Sequence, residues 1–547
     1  MATGSVDVSA RTDERASWRP MIALFLAQVL MSFNVAALPV SIGGMVEDFG
    51  VPPTDVSTAI VMYGLFVAAL VMVGAKIGQR VGWVRTFRTV IGGFLVAEVL
   101  MVVSPSIGWV IGAQALAGAS AALIVPSLVA LIAENYHGPQ QATAIGSLGS
   151  ARAISGVSAF FIGGALGTLV GWRPVFAILI GIAVIGFVLS FSLRSDGGDA
   201  GVDIDVVAAL LIGAAVVLLT LGFNNLNNWG LLAATDDAPF SISGVSPALV
   251  FIVAGVVLGQ AFFWWTRRRT NAGKDPLVHL SVLGSARERA AVYSMFVIVA
   301  LEAAINFTVP LYIQIVQGRS AFSTSIAMMP FNLTVFFTAL LVVRLYGRLT
   351  PRRIGVSAFC LVTVALLWLS LVVTNNWETV PTIVGLIAFG IGQGALVTLV
   401  FNVLVTSAPK HLAGDVGSIR GTTQNLASAV GTALAGAMLV TILGISVGQA
   451  VTENVELPDS LVAQVDLDNV NFISNDQLRE VLESTDATDA QIDEAVAINT
   501  DARLSTLKMG LLILAAVSAL AIVPASRLPD YHPDEIPEPG EPADSTA

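Results

Sequence analysis

Four ionisable residues stand inside long apolar stretches of this sequence: Glu98, Arg152, Glu302 and Arg420. An ionised group deep in hydrocarbon is costly enough that it normally faces a partner or water, and so marks a route for cargo or protons. Arg152 lies near the middle of its stretch, where an unpaired guanidinium could not be tolerated. Glu302 precedes Asn306 by one helical turn on the same face, and Arg420 precedes Gln424 in the same way. Two residues keep a second reading open: Arg420 is near enough to a helix end to reach solvent along its own stem, and Glu98 could equally make a structural hydrogen bond within one bundle.

The chemistry these groups offer is ion pairing and proton carriage, not covalent catalysis. No Asp-His-Ser, metal-ligand or phosphate-loop constellation occurs, and His137, His279, His411 and His532 fall in loops or the tail, where a solvated ring is the default. The single cysteine, Cys360, can build neither a disulfide framework nor a cysteine-based metal site within the chain. No enzyme activity, cofactor, metal or nucleic-acid partner is expected.

The elements that must position these residues are membrane helices. Hydrophobic residues make up 55% of the chain and charged residues 12%, against about 25% charged in soluble domains, and the mean hydropathy is +0.80. A crossing needs roughly 20 mostly apolar residues, which gives spans near 20–44, 55–79, 87–105, 108–134, 141–168, 173–193, 204–224, 246–266, 289–316, 322–346, 354–374, 379–408, 416–446 and 505–526. Basic residues crowd alternate connectors: Arg11, Arg15 and Arg19; Arg80, Arg85 and Arg88; Arg267, Arg268, Arg269, Lys274, Arg287 and Arg289; Arg348, Arg352 and Arg353. The positive-inside rule then places both termini in the cytoplasm of a bacterial-type inner membrane. Arg173 and Arg319 are exceptions. Met1 to Ala16 lacks the apolar core of a cleavable signal, so the first span is expected to act as its own signal.

The net charge of -11 comes mostly from 447–505 and the tail after Arg527, and says little about cargo. On this topology 447–505 faces outside. Asn475 to Thr500 alternates acids with apolar residues at helical spacing, and Ser474-Asn475-Asp476 reads as a helix start, so one or two short amphipathic helices are expected as a small external cap. The acidic, proline-rich end from Pro529 reads as disordered.

Several stretches in the right order resemble the major facilitator superfamily, in its fourteen-span drug:proton antiporter branch. Ala75-Lys76-Ile77-Gly78-Gln79-Arg80-Val81-Gly82 with Arg85 resembles the loop signature between spans two and three, and Gly118, Ala122 and Pro126 match the fourth-span signature. Gly163-Gly164, then Gly171-Trp172-Arg173-Pro174, resemble the junction into span six. Pro310-Leu311-Tyr312 with Gly318 and Pro330, and Gly417-Ser418 through Gly431, resemble the matching parts of the second half. The resemblance implies an all-α membrane protein: a six-helix bundle at 19–194 after a tail at 1–18, a linker with two extra spans at 195–288, a second bundle at 289–527 carrying the cap, and a tail at 528–547. It also implies that Lys76, Gln79, Arg80, Gly82 and Arg85 gate the cytoplasmic side.

The sequence departs from that family at polar positions. The first-span Asp corresponds to Leu30, with Asn34 nearby; the loop Asp is Gln79; the fourth-span Arg is Gln114; the Gly-Pro before the paired glycines is Ala159-Phe160; and the Arg-Gln pair of span thirteen reads Gln424-Asn425. Arg152, Glu302, Asn306, Gln114, Asn34, Gln28, Arg420, Gln424 and Glu98 are the pathway candidates. The expected function is secondary active export of an amphipathic, drug-like or lipid-like molecule by alternating access, with membrane lipids and protons as further partners. A transport-deficient scaffold binding an envelope partner through 447–505 is the alternative. No ring of polar residues repeats along a span as a channel would need.

Overall fold

The computed structural model describes residues 17–51, 53–136, 138–193, 197–235, 238–313, 317, 319, 321–346, 348–377, 379–407, 412–453, 479, 482–483 and 488–530. Its long helices are α1 (Arg19–Phe49), α2 (Pro53–Val81), α3 (Trp83–Val103), α4 (Ile107–Asn135), α5 (Gly138–Leu169), α6 (Arg173–Leu189), α7 (Val206–Asn224), α8 (Pro247–Asn271), α9 (Ala286–Leu311), α10 (Ala321–Leu341), α11 (Pro351–Val372), α12 (Val380–Ser407), α13 (Ala413–Glu453) and α14 (Asp489–Ala525). The described residues hold two isolated β-bridges but no strand.

Hydrocarbon offers no water to satisfy a peptide group, so each crossing closes its hydrogen bonds on itself as a helix. Among the described residues, thirteen helices are long and apolar enough to cross a membrane. The other long helix, α13, opens on a polar turn and packs among them. Their outward faces stay apolar: Val96 and Val99 on α3 and Val184, Ile185 and Val188 on α6 are exposed. Starts are set locally. Pro174, Pro247 and Pro351 occupy first turns, where a missing N–H costs nothing, and Ser285 with Glu288 closes a capping box on α9. Gly82 turns the chain from α2 into α3 at φ +100°, a conformation in which a Cβ would be strained.

The packing repeats. In the first half α1 packs on α5 and α6, α4 on α2 and α3, and α3 on α6. In the second half α9 packs on α13 and α14, α12 on α10 and α11, and α11 on α14. Adding eight to each helix number maps one set onto the other, so two six-helix bundles share one architecture. The contacts between bundles obey the same relation: α2 meets α13, and α5 meets α10. In α4 and its counterpart α12, 72% and 67% of the most apolar window is buried, against 17% in α8, so α4 and α12 are central and α8 is peripheral. Helices α7 and α8 pair with each other through Asp205, which caps α7 at Ala208 N (3.1 Å) and accepts from Trp265 Nε1 (3.0 Å). Arg269 of α8 completes the clamp on Asp203 and Asp205.

The 447–505 segment differs from a cap of short helices. At about 1.5 Å per residue, the 41 residues of α13 and 37 of α14 span about 60 and 55 Å, well over the roughly 30 Å of a bilayer core. Both spans therefore run into that segment, and residues 489–505 are the leading part of α14 rather than a separate element. They merge with it because Thr488 and Gln491 form a capping box and no breaker intervenes before Pro524. The helix start read at Ser474 lies outside the described residues, as do 1–16 and 531–547. At the other end, Leu528 is buried, Pro529 O accepts from Arg352 N (3.0 Å) and Asp530 accepts from Thr350 (2.6 Å), so 528–530 are docked rather than disordered.

A Cβ on Gly118 of α4 would lie 2.4 Å from Tyr63 O of α2, whereas one on Gly112 meets nothing within 4 Å. Gly118→Val should destabilise the protein by about 1–3 kcal/mol and lower its Tm in detergent, while Gly112→Ala leaves the Tm unchanged.

Candidate functional site

Two of the sequence candidates meet directly. Arg152 of α5 and Glu302 of α9, 150 residues apart, pair at 3.1 Å between Nη2 and Oε1. The second carboxylate oxygen accepts from Gln393 Nε2 of α12 at 2.7 Å. The two side chains are 29% and 16% exposed, half-buried as a pair lining an inner surface would be. Arg152 belongs to the first bundle, and Glu302 and Gln393 to the second, so the pair ties the bundles together. Gln393 was not singled out from sequence, although a lone amide in the run Ile391-Gly392-Gln393-Gly394 carries the same signal that flagged the charged residues.

Asn34 of α1 and Gln114 of α4, both fully buried, exchange two hydrogen bonds of 2.9 and 3.1 Å. Each amide satisfies the other, so a neutral pair occupies the place where the family resemblance implies a charge at 114. Arg420 of α13 is 6% exposed and lies with Cζ 4.0 Å from the ring centroid of Phe401 on α12. Its guanidinium is thus turned inward. Phe401 could not be picked out from sequence, since an aromatic in an apolar span is ordinarily core.

The other candidates stand apart. Gln28 donates to Ser32 within α1 (2.9 Å); Asn306 is exposed and Gln424 half-buried. Glu98 of α3 is fully buried, with no hydrogen-bond partner for either oxygen among the described residues. The helix packs chiefly on α4 and α6. Arg503, which falls within the segment expected to be a cap, is buried on α14, where Tyr312 acts on it.

A second polar cluster closes one end. Asp415, in the first turn of α13, accepts from Gln79 Nε2 (3.3 Å) and from His279 N (2.9 Å). The buried Lys76 acts on the same carboxylate. The His279 ring sits 3.4 Å from Asp275, so this histidine is engaged rather than free in a loop. Asp199 N donates to Gln79 O (3.0 Å), bringing both connectors of the α7–α8 pair onto the cluster. Trp83 and Glu134 share with Lys76, Gln79, Asp199 and His279 the lining of a cavity of about 540 Å³. Arg80 and Arg85 are exposed beside it. The close approach needs glycine: a Cβ on Gly417 would come within 2.8 Å of Pro126. Asp415 carried no motif signal, because it follows a stretch that reads simply as a connector.

A sequence model of the Major Facilitator Superfamily matches residues 24–432. The chain is 24% identical over 440 residues to the probable actinorhodin transporter of Streptomyces coelicolor, covering 78% of this chain and 73% of that one. It is 24% identical over 441 residues to the multidrug efflux pump LfrA of Mycolicibacterium smegmatis, covering 78% and 82%. Among solved structures, the human organic anion transporter MFSD10 superposes with a TM-score of 0.55 at 12% identity, covering 93% of this chain and 99% of that one. The proton:xylose symporter XylE superposes at 0.53 and 10% identity, covering 92% and 94%. Both share the fold. Nothing among these relatives supports the scaffold alternative.

If Arg152 and Glu302 are energetically coupled, a double-mutant cycle of Arg152→Met and Glu302→Gln, followed by thermal unfolding in detergent, should return a coupling of about 1–3 kcal/mol. Additive losses would show that the two side chains do not depend on each other.

Proposed function

We propose a cargo class and a working cycle for this chain, which belongs to the Major Facilitator Superfamily and is a multi-pass secondary membrane transporter, not an enzyme. Its cargo is an amphipathic, drug-like or lipid-like molecule carried out of the cytoplasm across a bacterial plasma membrane. Its similarity to a multidrug efflux pump and a probable actinorhodin transporter supports that direction and class.

The observation that carries the cycle is the Arg152–Glu302 pair, an ion pair that links the two bundles. The bundles, 19–194 and 289–527, rock about this layer, with 195–288 joining them. Lys and Arg asymmetry supports a cytoplasmic location for the Gln79–Asp415 end and both termini. The present arrangement is then closed inward, since α13 touches α2, α3 and α4 at Gly414, Gly417 and Gly421 near that end. Glu302 is the coupling carboxylate. Ionised, it holds Arg152 and the closed arrangement; protonated, it releases the guanidinium and lets the bundles rearrange. Such a link can be broken by one proton because a buried pair is worth much only while both members stay charged.

In proteoliposomes, an imposed pH gradient should accelerate transport of a fluorescent amphipathic probe by the wild type, and Glu302→Gln should leave residual flux that no longer responds to the gradient. Equal gradient dependence in both proteins would remove Glu302 from coupling. A second variant tests the gate. With Cys360→Ser to remove the exposed native thiol, Gln79→Cys and Asp415→Cys should form an oxidant-dependent cross-link that stops flux, restored by reduction. Unimpaired flux in the cross-linked protein would exclude opening at that end.

A further inference from the structure

The ion pair between the bundles touches a third side chain whose hydrogen-bonding capacity is only half used. Gln393 of α12 is fully buried and donates Nε2 to Glu302 Oε2 at 2.7 Å, while Glu302 Oε1 faces Arg152 Nη2 at 3.1 Å. The other end of the same amide, Oε1, is buried with no hydrogen-bond partner among the described residues. An ionised carboxylate only accepts, so it takes the NH2 end of an amide, whereas a protonated one carries an O–H and needs an acceptor. Gln393 holds one group of each kind.

Its backbone is fixed and its amide is free to turn. A Cβ on Gly392 would lie 2.4 Å from Val362 of α11, and one on Gly394 2.7 Å from Val335 O of α10, so α12 is wedged between these helices and has little room to shift. Half a turn about the last side-chain bond of Gln393 exchanges Nε2 with Oε1 and breaks only the bond to Glu302. An unmet carbonyl becomes an unmet NH2, so the number of unmet groups stays the same. Asn34 and Gln114 lack this freedom, because a turn of either breaks both bonds that join them. No other charge competes: Arg152 is the ion-pair partner of Glu302 among the described residues. Of the helices packed on α9, α12 carries no charged residue. Helix α13 brings Asp415, held at the gate, Arg420, stacked on Phe401, and Glu453 at its end, and α14 brings Asp501, Arg503 and Lys508 beyond its acidic start.

We infer that Gln393 is the positioning residue for the proton of Glu302: it gives Nε2 to the ionised carboxylate and, after half a turn, offers Oε1 to the protonated one. The proton sits on Glu302 Oε2, since Oε1 lies against the Arg152 guanidinium. The neutral acid is a weaker acceptor for Arg152 and releases it, while its new O–H is met inside the second bundle. Without that acceptor the buried O–H would bear the full cost of an unmet donor, and proton loading would be opposed. The proton therefore stays on the second bundle, between Glu302 and Gln393, while the first bundle moves away. This assignment rests on the reading of Glu302 as the coupling carboxylate and deepens it by naming the group that serves both of its charge states.

The test is an acid titration of the full-length protein in nanodiscs, followed by infrared difference spectroscopy. Acidifying the wild type should raise a carboxylic-acid C=O band that is absent from Glu302→Gln. Gln393→Met keeps the length of the side chain but has neither N–H nor carbonyl. In it the band should move to higher wavenumber, as for an acid whose O–H has lost its acceptor, and the titration midpoint should rise by about one pH unit, because the ionised form loses the stronger of the two bonds. Gln393→Leu, read in the same way, replaces it if the methionine variant does not fold. A raised midpoint with the band at its wild-type position would make Gln393 a donor only and overturn the inference. Band and midpoint both unmoved would remove Gln393 from proton handling and leave Glu302 as the carrier. A band that persists in Glu302→Gln would instead overturn the coupling reading, and this inference with it.

Discussion

One constraint governs this molecule: a charge placed inside a lipid-embedded bundle must find an opposite charge or water. Arg152 meets that demand only by reaching Glu302 across the boundary between bundles. The partner could have been placed within the same bundle, where it would have stabilised one rigid body. Set across the boundary, the pair links charge state to the relation of two bodies. Gln393 refines the arrangement by occupying the second oxygen of Glu302, which orients the carboxylate toward α5.

The internal symmetry explains why such a link can matter. The two bundles repeat one set of helix contacts, and the junctions between them, α2 with α13 and α5 with α10, are exchanged by the same relation. On the proposed cycle, a pair of bodies related in this way exchanges one arrangement for another of comparable packing. What selects one arrangement is then a small number of asymmetric polar contacts. Such contacts lie at the Arg152 layer and at the Asp415 end, where Gln79, His279 and Lys76 converge. The α7–α8 pair adds its two connectors at Asp199 and His279, so the inserted helices also contribute to closing that end.

Much of this was legible in the sequence. Span number, span type and the charged positions at Arg152 and Glu302 follow from residue types and lengths, because lipid leaves few alternatives. Their pairing does not, since nothing local at either residue encodes a partner 150 positions away. Gln393 and Asp415 escaped notice for different reasons: one is an amide in an apolar run, the other the first-turn acid of a helix whose neighbours arrive from distant loops. The 489–505 stretch misled because its acids alternate with apolar residues as a surface helix would, yet its register continues unbroken into the last span. The family resemblance pointed to a charge at 114, where the structure holds a neutral amide pair. The ion pair between the bundles is then the one that Arg152 and Glu302 form.

The dependence of bundle arrangement on the Arg152–Glu302 link can be measured by pulsed electron spin resonance in nanodiscs, with spin labels at Thr89 and Arg348, exposed residues on the two bundles. Wild type at neutral pH should give a dominant short distance between the labels, and both acidification and Glu302→Gln should move population to a longer one. A distance distribution that stays the same across pH and across Glu302→Gln would mean that the ion pair does not control how the two bundles meet.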